Sequence, residues 1–132
     1  MTVKELKAYL ALYQKSAIQT AEIEMHLADL KAEAQRLKDH EGNSVALDSA
    51  TIRYIDACDA AGIQLDKLKA LRDDIKKMID KIDDQKLHSV LYRRYILGQK
   101  WEEVAVSMRL DYRWITRLHG RALQNLIKKI DP

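Results

Sequence analysis

The sequence contains no phenylalanine, one proline, one cysteine and four glycines among its 132 residues. One proline and so few glycines exclude collagen-like chains, and 33% charged with 47% apolar residues exclude low-complexity and largely disordered ones. Cys58 has no second cysteine to pair with, so nothing here depends on an oxidising compartment, and its thiol is expected to be buried and inert. The longest near-apolar stretch, Ala8 to Tyr13, falls far short of the roughly 18 residues that cross a bilayer, and no secretory pattern opens the sequence. A cytoplasmic protein with no membrane partner is expected. Catalytic and metal motifs are missing as well. His26, His40, His88 and His119 lack ligand spacing among themselves or with Cys58, and there is no glycine-rich phosphate loop and no serine in a nucleophile turn. The expectation is a non-enzyme without cofactor or metal. Asp73, Asp74, Asp80, Asp83 and Asp84 alternate with Lys76, Lys77, Lys81 and Lys86 and read as a solvated helix face.

What is present is helical period and an uneven charge. Val3, Leu6, Leu10, Tyr13 and Ala17, then Ile23, Leu27, Leu30, Ala34 and Leu37, recur at spacings of three and four, which predicts one long amphipathic helix. His40-Glu41-Gly42-Asn43 closes it, Ser44 to Leu47 forms a loop, and Asp48 or Ser49 caps a second long helix. The apolar seam of that helix passes through Ile52, Ile55, Cys58, Gly62, Leu65, Leu68, Leu71, Ile75, Met78 or Ile79, and Ile82, with Gly62 a point of weakness or close approach. Joined by a short loop, the two helices form an antiparallel, coiled-coil-like hairpin over residues 1–84. Tyr9, Leu12, Ile18 and Met25 lie off its seam, and self-association into a homodimer is the simplest way to cover them; packing by the C-terminal helices is the alternative.

Residues 85–132 read as a small three-helix domain, so the whole chain is expected to be all-α. Asp84 caps a helix from Gln85 to Leu97 that Gly98 ends, a short helix runs from Trp101 to Arg109, and Asp111 caps a last one from Tyr112 to about Ile130. Leu87 to Pro132 holds 9 Lys/Arg against 4 Asp/Glu and five of the eight aromatic residues, whereas Met1 to Lys86 holds 14 against 16. Basic residues interleaved with aromatics suit a polyanion. Trp101 to Gly120 also fits a helix-turn-helix, in which two short helices cross steeply over a tight turn and need apolar residues, one of them small, at the crossing. Val104, Met108, Leu110, Ile115 and Leu118 fill the apolar positions and Ala105 the small one. Arg109 stands where such turns commonly carry glycine, so it must take an unfavourable backbone conformation or a different turn.

With Ile115, Leu118 and Ala122 inward, helical geometry turns Tyr112, Arg113, Thr116, Arg117 and Gly120 outward at the start of the last helix. That is the end a recognition helix presents to the major groove, where arginine bonds two guanine acceptors and threonine bonds a base or meets a thymine methyl. Tyr112, Arg113, Thr116 and Arg117 are therefore candidate base contacts, and Arg93, Arg94, Lys100 and Arg121 candidate phosphate contacts on double-stranded DNA. His119, beside these arginines, is read as a surface residue within reach of a phosphate. Trp101 and Trp114 are read as core and rim.

The run Leu91-Tyr92-Arg93-Arg94-Tyr95-Ile96-Leu97-Gly98, followed by Trp101-Glu102-Glu103-Val104-Ala105 and Trp114-Ile115-Thr116-Arg117-Leu118-His119-Gly120-Arg121-Ala122-Leu123, resembles a family of small phage and prophage proteins from Gram-positive bacteria. Members pair an N-terminal helical hairpin with a C-terminal domain similar to the promoter-reading end of sigma factors, in the style of phage late-transcription activators. The sequence departs from that pattern at Lys100, where a Ser or Thr cap is usual, at Arg109 for Gly and at Asp111 for Ser. The resemblance implies sequence-specific DNA binding in transcription control. Two other functions fit the same layout: an interaction protein whose coiled-coil hairpin binds RNA polymerase or another phage protein, and a DNA-recognition subunit for genome packaging.

Overall fold

The computed structural model describes residues 1–39 and 44–131. Among these the chain is all-α, 87% helical and without strands. Helices α1 (Val3–Lys38) and α2 (Ser44–Ile79) have 36 residues each, about 54 Å at 1.5 Å per residue. Next come α3 (Gln85–Leu91), a π-helical segment (Tyr92–Ile96), α4 (Trp101–Met108) and α5 (Tyr112–Ile130).

Several boundaries differ from those the sequence suggests. Ser44 to Leu47, expected as loop, is the first turn of α2, so Asp48 and Ser49 lie inside the helix and cap nothing. Val45, Ala46 and Leu47 carry no helix breaker and Leu47 falls on the inner face, which lets the period extend backwards. The expected stop at His40-Glu41-Gly42-Asn43 lies outside the described residues. Gly62 neither breaks α2 nor admits a neighbour, since a Cβ built on it meets nothing within 4 Å. Its cost of about 1 kcal/mol relative to alanine is absorbed by the long helix around it.

The chain forms two compact units, one of Met1–Ser16 with Leu71–Pro132 and one of Ala17–Ala70. In the first, the opening turns of α1 and the closing turns of α2 share a core with the C-terminal helices. Leu6 and Leu10 pack with Ile75, Ile79 and Ile82, with Leu91 and Tyr95, and with Ala122, Leu123 and Leu126. Tyr9 and Leu12 pack against this core, so the unit itself covers those two off-seam residues in part. The Tyr9 hydroxyl donates to Asp74, and Arg72 donates to the buried Ser16 hydroxyl at 2.9 Å.

In the second unit Arg53 pairs with Glu33 at 3.2 Å, and Ile23 and Leu27 line a cleft with Ala57, Ala60 and Ala61. Numbers rise along one helix as they fall along the other, which fits antiparallel pairing. Ala50 is the one buried apolar residue among the described residues of this unit. Ile52 and Ile55, expected on the seam, are 58% and 52% exposed. The more enclosed positions are Leu47, Ala50, Tyr54, Ala57 and Ala61, which share a face of α2 turned away from Ile52 and Ile55. Ile18, Met25, Val45 and Ile63 are exposed as well. Cys58, expected buried, is half-buried.

The helix expected from Gln85 to Leu97 is not uniform. Asp84 caps α3 as anticipated, its Oδ1 accepting from the Leu87 N–H at 3.0 Å. Beyond Leu91 the turns widen, and the Leu97 N–H donates five residues back to the Tyr92 carbonyl at 3.0 Å. The Gln14 amide of α1 donates to the carbonyls of Tyr95 at 3.2 Å and Ile96 at 2.7 Å. A side chain from another helix thus satisfies acceptors at the end of the widened segment. Gly98, at φ +71°, ends it.

Candidate nucleic-acid interface

The basic surface is built on the corner between α4 and α5. Lys100, in an extended conformation (φ −69°, ψ 157°), precedes α4. Having no hydroxyl to cap the helix, it is tied by Glu103, whose Oε1 accepts from the Lys100 N–H at 3.2 Å. Arg109 ends α4 in the left-handed region at φ 56°, ψ 40°. The chain therefore keeps the turn and places arginine in the conformation glycine adopts freely. The Leu110 N–H then donates to the Ala105 carbonyl at 3.1 Å. Asp111 starts α5, its Oδ1 accepting from the Trp114 N–H at 2.8 Å. Its carboxylate sits at the positive end of that helix.

Val104, Ala105, Ile115 and Leu118 are buried together with Val90, and Met108, Leu110, Trp101 and Trp114 pack half-buried around them. This apolar cluster fixes the phase of α5 and hence which residues face out. Tyr112, 52% exposed, and Arg113, Thr116, Arg117, Gly120 and Arg121 all lie exposed. The Thr116 hydroxyl donates back to the Tyr112 carbonyl at 3.0 Å, which leaves its lone pairs and methyl group outward. The Arg121 guanidinium lies 5.4 Å from the centre of the Trp114 ring. The strip continues into a groove of about 530 Å³ lined by Arg117, Arg121, Gln124, Asn125 and Lys128.

Of the other candidates, Lys100 is exposed while Arg93 and Arg94 are half-buried. Arg94 donates to the Gln99 carbonyl at 3.0 Å and lies 4.7 Å over the Trp101 ring. Among the described residues, none of Arg93, Arg94, Lys100, Arg113, Arg117 or Arg121 pairs with a carboxylate. No described residue therefore neutralises the cations of this surface.

His119 requires a correction, because it is buried at 8% exposure and not available at the surface. Its Nε2 shares a hydrogen bond of 2.9 Å with the Tyr95 hydroxyl, and the Trp101 ring meets it edge-on at 4.5 Å. Burial, aided by Lys7 and Arg94, pushes the imidazole down to about 4, so it is neutral at pH 7. Its position was legible: Ile115, Leu118, His119 and Ala122 follow the three-four spacing of the apolar face. Lys7 and Gln14 gave no such indication, since only the tertiary fold brings α1 beside residues more than 80 positions away.

No group of His, Cys, Asp and Glu among the described residues is placed to hold a metal, and no helix there is long and apolar enough to cross a membrane. Comparison with protein-family models, curated proteins and solved structures finds no match for the chain.

Proposed function

We propose that the protein is a sequence-specific regulator that binds double-stranded DNA, with α4 and α5 acting as a helix-turn-helix and the start of α5 entering the major groove. One observation carries the reading: the outward opening turns of α5 bear Arg113 and Arg117, exposed and with no carboxylate partner among the described residues, on a helix whose inner face is locked by Ile115 and Leu118. In this reading Tyr112, Arg113, Thr116 and Arg117 read bases, while Arg93, Arg94, Lys100 and Arg121 hold phosphates. The α1 and α2 helices form a hairpin that joins two copies into a dimer with two reading heads. The resemblance to the phage and prophage family with a sigma-like C-terminal domain is in keeping with this reading, and transcription control is the role it implies.

Selecting a bound sequence from a random duplex pool, then measuring fluorescence anisotropy at several salt concentrations, tests the reading. Arg113→Ala and Arg117→Ala are each expected to cost about 1 to 3 kcal/mol on the selected sequence and to relax preference there. Lys100→Ala is expected to weaken all duplexes alike and flatten the salt dependence. Unchanged sequence preference in both arginine variants overturns the assignment of the reading face.

A second reading is favoured by the exposed Ile18, Met25, Val45, Ile52, Ile55 and Ile63: the hairpin is itself the active surface and binds RNA polymerase or another phage protein. That reading predicts no salt-dependent binding to any duplex. A DNA-recognition role in genome packaging uses the first mechanism with a different partner.

A further inference from the structure

A second concave feature lies within the first unit, where four elements converge. Lys7 of α1, Arg94 of the π-helical segment, Trp101 of α4, and Tyr112, Thr116 and His119 of α5 surround a cleft of about 410 Å³. The hydrogen-bonded His119 and Tyr95 rings line its wall, and no carboxylate among the described residues does. With the imidazole neutral, the side chains leave two uncompensated positive charges, Lys7 and Arg94. Neither pairs with an acid among the described residues.

Arg94 is held in place before any ligand arrives. Its guanidinium stacks on Trp101 at 4.7 Å and one N–H group is tied to the Gln99 carbonyl at 3.0 Å, which leaves the others to donate. The segment carrying it is π-helical, a less favourable winding that persists where side chains must be aimed. A fixed guanidinium beside an ammonium is a phosphate-binding pair. Trp101 and Tyr112 add aromatic surface, on which a planar ring gains stacking energy. Clefts of a few hundred Å³ enclose small ligands, whereas the convex backbone of a duplex meets exposed cations such as Lys100 and Arg121.

We propose that this cleft binds a small phosphorylated ligand of mononucleotide size, its phosphate held by Lys7 and Arg94 and its ring set against the aromatic wall near Tyr112. Tyr112 and Thr116 also belong to the proposed base-reading face and Arg94 to the proposed phosphate contacts, so an occupied cleft alters DNA reading, and by linkage DNA alters ligand affinity. The coupling rests on the DNA-binding reading; the ligand site does not.

Calorimetric titration of the full chain with adenosine monophosphate, adenosine and inorganic phosphate provides the test. The nucleotide is expected to bind about tenfold or more tightly than either fragment, with affinity falling as salt rises. Lys7→Gln removes an exposed charge without touching the core and is expected to weaken the nucleotide about tenfold, and Arg94→Lys, which keeps charge but loses the planar donor fork, to weaken it as well. In NMR titrations the bound phosphate is expected to raise the pKa of His119. No heat with the nucleotide up to about 10 mM at low salt, or equal affinity in Lys7→Gln, overturns the proposal. So does phosphate matching the nucleotide, which leaves an anion contact and no ring site. If Lys7→Gln weakens duplex binding while the nucleotide never binds, the occupant is a backbone phosphate and the ligand site fails with DNA binding intact. If the nucleotide binds as described and no duplex does, the DNA reading fails and the cleft stands.

Discussion

His119 shows how one side chain couples the core to pH. Burial, with Lys7 and Arg94 adding repulsion, holds its pKa near 4 against an ordinary value of 6.5. The unfolded chain therefore takes up a proton that the folded one refuses between those values. The neutral ring's contribution is complete above pH 6.5 and is lost as pH falls toward 4. Urea unfolding midpoints of the wild type are expected to drop across that window more than those of His119→Gln, the difference cancelling the titration of groups common to both. Parallel pH profiles overturn the assignment. Arg109 illustrates a different balance. A left-handed conformation costs a non-glycine residue about 1 to 2 kcal/mol, and here it persists because Leu110 and the helices on either side fix the corner.

At the scale of elements, the π-helical segment depends on partners far along the chain. Gln14 supplies donors to the Tyr95 and Ile96 carbonyls, and Gly98 lets the backbone leave at φ +71° with Gln14 against it. A Cβ at Gly98 meets the Gln14 side chain at 2.9 Å. Gly98→Ala is expected to destabilise the chain by about 1 to 2 kcal/mol in chemical denaturation, from the positive φ alone, and wild-type stability in that variant is the contrary result. Elements whose cause is local were legible in the sequence: the long periods of α1 and α2, the Asp84 and Asp111 caps, and the apolar stripe of α5 that puts Arg113 and Arg117 outside. Apart from His119, whose place on that stripe the spacing already showed, what escaped was set by tertiary contact. Nothing local distinguishes Tyr92 to Ile96 from an ordinary α-helix without Gln14 beside it, and Ile52 and Ile55 look like core until Ala50, Tyr54 and Ala57 are found on the enclosed side.

For the molecule as a whole, charge and burial divide along the same lines. The unit of residues 1–16 and 71–132 holds 17 Lys/Arg against 10 Asp/Glu, and residues 17–70 hold 6 against 10. The basic unit has an extensive core; among its described residues the acidic one buries Ala50 alone of its apolar side chains. Its exposed apolar residues are spaced for a second seam, with Ile18 and Met25 seven apart on α1 and Val45 and Ile52 seven apart on α2. A two-fold dimer needs one such self-complementary patch. Sedimentation at tens of micromolar is expected to give about twice 15.3 kDa, and Ile52→Asp combined with Ile63→Asp to give the single-chain mass. A wild-type monomer overturns the two-headed arrangement. The thin interior of residues 17–70 then acquires a physiological meaning. If their long helices gain burial from a sister chain, the folded fraction follows mass action, and dosage becomes a control variable: a cell making few copies holds them loosely ordered and open to proteolysis, and one making many consolidates them together.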